Sequence, residues 1–169
     1  MPKAVKLYVR YVDALNRTVG RFAMYMIFVM MGVLLYSSIS RTLFDVPLIW
    51  VVEVAQMTMA AYYLLGGGYS MQLDSHVRMD LLYGRWSIKR RGFTDSVTAF
   101  CLVFYLVFLL FGAISSTQYA IEYNQKNYSV WAPPMAPIKV IMTMGIAMML
   151  LQAISMFFKD LARARGKEI

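Results

Sequence analysis

The sequence contains one histidine and one cysteine in 169 residues. A lone Cys101 excludes an intrachain disulfide and any Cys-x-x-Cys redox or zinc motif. A lone His76 excludes two axial histidines for a haem within one chain and leaves no histidine cluster for zinc. Acidic residues are also few, nine against seventeen Lys and Arg, and charge of either sign makes up 15% of the chain. No Ser/His/Asp or Cys/His constellation can be built around one histidine, so the chain is not read as an enzyme. Neither a metal nor a cofactor is expected.

Apolar residues are abundant, at 60% of the chain with a mean hydropathy of +0.54. A soluble domain has about 45–50%. The charges fall in blocks between nearly uncharged stretches, each close to the roughly 20 residues that cross a bilayer as a helix. The fold class expected is an all-α integral membrane protein. It is a single four-helix domain, residues 1–169, with transmembrane helices over about 22–40, 47–71, 97–116 and 138–158. Phe22–Ser40 carries no charge and would rise about 28 Å. The basic segment before it is long, and no small-residue cleavage site follows, so a retained helix is favoured over a signal peptide. Residues 5–22, VKLYVRYVDALNRTVGRF, alternate basic and apolar positions. They are expected to form an amphipathic interfacial helix that lies on the membrane surface before turning into the first span.

The cations set an orientation. Five lie in the N-terminal segment, five between spans two and three, and four in the C-terminal tail; the other side has Arg41, Lys126 and Lys139. Fourteen against three predicts that both termini are cytoplasmic. Trp50 and Trp131 then fall at the outer interface and Trp86 at the inner one. Because the net charge of +8 flanks spans rather than lining a soluble face, nucleic acid is not expected as a partner. Asn127-Tyr128-Ser129 matches an N-glycosylation sequon, a tripeptide common by chance.

Candidate site residues are few. In GGGYSMQLDSHVRMDLLYG (66–84), helical spacing pairs Asp74 with Arg78 and His76 with Asp80. This is a charge-paired turn at the inner surface rather than a ligand set. Gly66–Gly68 would loosen the helix end or admit a close neighbour. Glu53 is the sharper candidate, about 9 Å inside the second helix if that helix starts near Pro47. Ionisable groups within spans face protein or water. The carboxylate is therefore either an ion-coupling group or one held by Arg41 or a partner subunit, and the second reading is preferred. Gln56, three residues on, would share its polar patch. Gly112 and Ser116 form a small-xxx-small pair suited to close packing. WAPPMAP (131–137) reads as a stiff external turn, too apolar to be left in water, with Pro137 in the first turn of the last helix.

Three local patterns in this order resemble the small membrane (Q-type) subunit of tripartite ATP-independent periplasmic (TRAP) transporters. They are RTLFDVPLIWVVE, with Arg41, Phe44, Pro47, Trp50 and Glu53 at the family's positions; HVRMD, His76 to Asp80; and WAPPMAP ahead of the last helix. The resemblance covers about residues 20–160. It departs at Val52, where the family often has a second acid. What it implies is a bacterial inner-membrane scaffold that does not itself bind substrate. Its expected partners are a large elevator-type membrane subunit, a periplasmic substrate-binding protein and membrane lipids, and the complex would take up a small organic anion by sodium symport. Arg41, Trp50, Glu53, Gln56, His76, Arg78 and Asp80 would then be structural or subunit-interface residues. The alternative is an autonomous proton-coupled drug transporter, dimeric through Glu53. A respiratory membrane anchor is disfavoured by the histidine count.

Overall fold

The computed structural model describes residues 3–73 and 88–164. They form four helices: α1 Lys3–Phe44, α2 Val51–Gln72, α3 Ile88–Glu122 and α4 Ala136–Ala164. Among the described residues there is no strand, only an isolated antiparallel bridge between Lys126 and Pro134. The helices stand side by side in the order α1, α2, α4, α3, and α1 also touches α4.

The N-terminal segment differs from expectation. α1 is one unbroken helix of 42 residues, about 63 Å long, and the basic segment does not turn before the first span. Residues 3–44 contain no proline, so nothing breaks the ladder of backbone bonds. The segment is also held laterally. Val9, Asn16, Ala23, Met30 and Ser37 alternate with Val12, Val19, Met26, Val33 and Ser40 in a strict seven-residue repeat. All ten are buried or half-buried, while most of their neighbours are exposed. A seven-residue repeat is the signature of helices that wrap along a shared seam. α1 ends where Asp45 takes a left-handed conformation (φ 53°), with Pro47 two residues on to prevent continuation.

The second helix starts later than expected, at Val51 rather than near Pro47. The residue before a proline is pushed out of the α region, and Asp45 has already reversed the chain. Glu53 consequently lies in the first turn of α2. Gly66–Gly68 do not loosen this helix, which runs through them to Gln72. Gly66 has open space around it, but Gly67 and Gly68 let neighbours in. A Cβ at Gly67 would come within 2.8 Å of Met149 Sδ, and one at Gly68 would overlap Asn16 Oδ1. From the other side, a Cβ at Gly145 of α4 would lie 2.9 Å from the Leu64 carbonyl. By contrast, Gly112 has open space around it and Ser116 is exposed, its carbonyl accepting from Lys139 Nζ at 3.3 Å, so among the described residues that pair provides no close helix approach.

Met71, Leu106 and Ala153 form a buried cluster joining α2, α3 and α4. The α3–α4 pair adds Thr117 and Thr143, whose hydroxyls are 2.8 Å apart. α3 ends in a Schellman motif: Asn124 is left-handed (φ 45°), its N–H donates to Ile121 O, and the Gln125 N–H donates to Ala120 O at 3.0 Å. The connection that follows is folded back on itself. Met135 N–H donates to Gln125 O at 2.8 Å and Asn127 N–H to Pro133 O at 3.0 Å, while Lys139 Nζ donates to Gln125 Oε1 at 2.7 Å. Pro133 is buried, but Tyr128 and Val130 are exposed and Trp131 is 46% exposed. Pro137 occupies the first turn of α4.

Among the described residues, three helices are long and apolar enough to cross a membrane: Val5–Phe44, Val97–Glu122 and Ala136–Lys159. α2 has the length, 22 residues or about 33 Å, but carries Glu53, Gln56 and three glycines. It lies between α1 and α4, which bury Glu53 but leave Gln56 exposed.

Close approach at Gly145 is directly testable. Gly145→Ala meets backbone, which cannot rotate away, and should cost about 1–3 kcal/mol, read as a lower melting temperature in detergent. Gly112→Ala, in open space, should leave that temperature unchanged or slightly raised.

Candidate functional site

The polar groups collect at the two ends of the bundle. At one end, α1 finishes, α2 begins, and the α3–α4 connection turns. Glu53 is buried there at 8% exposure, and its Oε2 makes no hydrogen bond. As the third residue of α2 it faces the positive end of the helix dipole, which favours a carboxylate. Arg41 lies in the last turn of α1 but is exposed, and no ion pair joins it to Glu53. Trp50, immediately before the helix, is half-buried, and Gln56 is exposed. The structure therefore places Arg41, Trp50 and Glu53 at one end of the bundle without bonding them to each other. Gln56 does not join a buried patch with Glu53. His76, Arg78 and Asp80, with the proposed turn pairs, lie outside the described residues.

The other end holds a network that sequence reasoning missed. Asp13 and Asn16 of α1 face Gln152, Ser155 and Lys159 of α4. Asn16 Nδ2 donates to Gln152 Oε1 at 2.9 Å and to Val12 O at 3.1 Å. Gln152 Nε2 donates to Asp13 Oδ1 at 3.0 Å, and Ser155 Oγ to the same oxygen at 3.4 Å. Lys159 Nζ pairs with Asp13 Oδ2 at 2.6 Å. Tyr8 extends the contact, its hydroxyl donating to Leu151 O at 3.2 Å and its ring meeting Phe158 edge-on. Asn16, Gln152 and Ser155 are fully buried. The signal was present in the periodicity: 152, 155 and 159 recur at helical spacing on one face of an apolar helix, and 13 and 16 do so on α1.

Beside this network is an open cleft of about 640 Å³ lined by Asp13, Arg17, Arg21, Tyr69, Gln72, Leu73 and Lys159. Arg17 and Arg21 are exposed on successive turns of α1. Gln72 Oε1 is buried there with no donor, and Asn16 Oδ1 is likewise unpaired against Gly68. Among the described residues, no group of three or more His, Cys, Asp or Glu side chains could hold a metal ion. The groups assembled are amides, cations and one carboxylate, a set that joins helices and can receive an anion.

Residues 30–163 match the family described as tripartite ATP-independent periplasmic transporters, DctQ component. Over 100 residues, 59% of this chain, the sequence is 31% identical to the sialic acid TRAP transporter permease protein SiaT of Haemophilus influenzae (strain 86-028NP). That stretch is 16% of the relative's own length. No solved structure matches. The matched residues include Glu53 and the polar face of α4; Asp13, Asn16, Arg17 and Arg21 lie before them.

The network predicts a specific weakness. Asp13→Ala removes the acceptor for Gln152, Ser155 and Lys159 together. The Lys159–Asp13 pair is partly exposed, with side chains at 28% and 21%, which tempers the loss through solvent screening. A destabilisation of roughly 2 kcal/mol is expected, equivalent to a fall of about 4–8 °C in melting temperature. Asp13→Asn, which keeps an acceptor, should lose less.

Proposed function

The chain belongs to the DctQ component family of tripartite ATP-independent periplasmic transporters, multi-pass proteins of the inner membrane, and from that membership we propose that it is a fixed scaffold. On this reading it supports a large elevator-type membrane subunit, which takes up a small organic anion by sodium symport with a periplasmic binding protein. All four helices cross the bilayer and both termini are cytoplasmic, with α2 sheltered between α1 and α4. SiaT is named for sialic acid; in this system, substrate choice rests with the other two polypeptides.

The observation that carries the scaffold reading is the unpaired, buried Glu53 beside a helix that this chain leaves largely bare. Within α1, Tyr25, Phe28, Leu35, Ile39 and Leu43 are all exposed. Lipid can cover those side chains, but it offers no donor to a carboxylate. Glu53 Oε2 is enclosed by this chain itself, so what a second protein would cover is the bare apolar face beside it. The contact surface proposed is therefore the end of α1 and the start of α2, around Arg41, Trp50 and Glu53. The exposed Trp131 connection lies at the same end. On the same reading, His76, Arg78 and Asp80 would serve as anchoring residues at the inner surface. No pathway is proposed through the chain, because a single embedded acid gives a substrate or an ion nothing to move between.

Mild-detergent extraction of the tagged chain from its native membranes, followed by mass spectrometry, should recover a larger multi-span partner in stoichiometric amount. Recovery of a homodimer alone would overturn the scaffold and favour the proton-coupled alternative. Glu53→Gln should retain sodium-coupled transport once complex levels are matched. Glu53→Ala should lower partner recovery several-fold. Loss of coupling in an intact Glu53→Gln complex would show that the carboxylate does more than join subunits.

A further inference from the structure

The cleft between α1, α2 and α4 has a chemistry that the scaffold role does not require. It presents three cations, Arg17, Arg21 and Lys159, against one carboxylate, Asp13, a net charge of +2. That carboxylate is already engaged by Lys159, Gln152 and Ser155. Neither arginine has an ion-pair partner among the described residues. Gln72 lines the same space.

We propose that this cleft binds a phosphate-bearing anion, and that the occupant is the headgroup of an anionic phospholipid. Arginines one turn apart present forked donors that match phosphate oxygens in pairs. The position distinguishes a lipid from a free ion. Arg21 directly precedes Phe22, the first residue of the uncharged stretch of α1, so the cations sit where a membrane's headgroup layer meets its hydrocarbon. One and two turns further along α1, Tyr25 and Phe28 are 68% and 64% exposed, a strip on which an acyl chain can lie. Basic clefts between membrane helices at this depth are characteristic lipid-headgroup sites. A bound headgroup would bridge α1 to α4 across the Asp13–Lys159 pair and reinforce the end of the bundle remote from Glu53. The proposal rests on α1 being embedded in the membrane, and is independent of the identity of the protein partner.

The test uses the chain in its extracted complex, exchanged into nanodiscs of phosphatidylcholine alone or mixed with phosphatidylglycerol. Retained lipid is measured by mass spectrometry after re-extraction, and melting temperature is followed in parallel. The expected result is selective retention of phosphatidylglycerol by the native chain with a raised melting temperature. Retention should fall by roughly thirtyfold in Arg17→Gln/Arg21→Gln, at about 1 kcal/mol per cation, with the melting temperature in phosphatidylcholine alone unchanged. Lys6→Gln/Arg10→Gln removes the same charge from α1 outside the cleft and should retain the lipid. Equal retention by the Arg17/Arg21 variant, or an equal loss in the Lys6/Arg10 variant, would overturn the proposal. Should the double glutamine variant fail to fold, Arg17→Lys/Arg21→Lys keeps the charge but not the fork and should retain lipid at an intermediate level; native-like retention would overturn the proposal. A melting shift produced by inorganic phosphate alone, and lost in either cleft variant, would assign the site to a soluble anion and remove the lipid.

Discussion

The buried bond between Asn16 and Gln152 is the constraint on which the arrangement of the helices depends. An apolar seam along α1 would let that helix slide by a turn against its neighbours at little cost, since one valine or methionine replaces another. A carboxamide at one position of a seven-residue repeat does not allow this, because any other register leaves a buried polar group without a partner. Asn16 meets Gln152 in a single alignment, and Asp13 then reaches Ser155 and Lys159 in the same alignment. With α1 fixed against α4, α2 is held between them, and Gly68 is the residue that lets Asn16 lie against it.

This arrangement separates the molecule into ends with different work. One end is bonded largely within the chain: its carboxylate has three partners, although Asn16 Oδ1 and Gln72 Oε1 lack a donor, and its surplus is cationic. The other end is internally incomplete: Glu53 is buried with an oxygen unpaired, and the adjoining length of α1 is exposed and mostly apolar. A self-sufficient transporter needs a path of exchangeable polar groups across the bilayer. Here the polar groups are concentrated at the two ends, with glycine, methionine and aliphatic contacts between them. A scaffold, as proposed, needs no such path among its own residues.

Several features follow from local chemistry and were legible in the sequence. Runs of uncharged apolar residues give helices because only internally bonded backbone is stable in hydrocarbon. Residues 97–116 and 138–158 lie within α3 and α4, and Pro137 occupies a first turn as its missing N–H allows. The start of α2 was misjudged by four residues, because Pro47 was read as a helix start when Asp45 had already turned the chain. The unbroken α1 was also missed. Its basic residues suggested a surface segment, whereas its apolar repeat, without proline, continues through to Ser40.

The sequence by itself determined a helical membrane chain, the helical spans and the few residues able to carry charge into them, since these depend on hydropathy and backbone chemistry that act over one or two turns. It could not determine which polar groups would meet. Asp13 and Lys159 are separated by 146 positions, and only the α1–α2–α4 packing brings them within bonding distance. It also suggested Gly112 and Ser116 as a packing pair, when Gly20, Gly67, Gly68 and Gly145 supply the close approaches. A small residue is useful only where a neighbouring helix arrives, and that arrival is decided by tertiary structure alone.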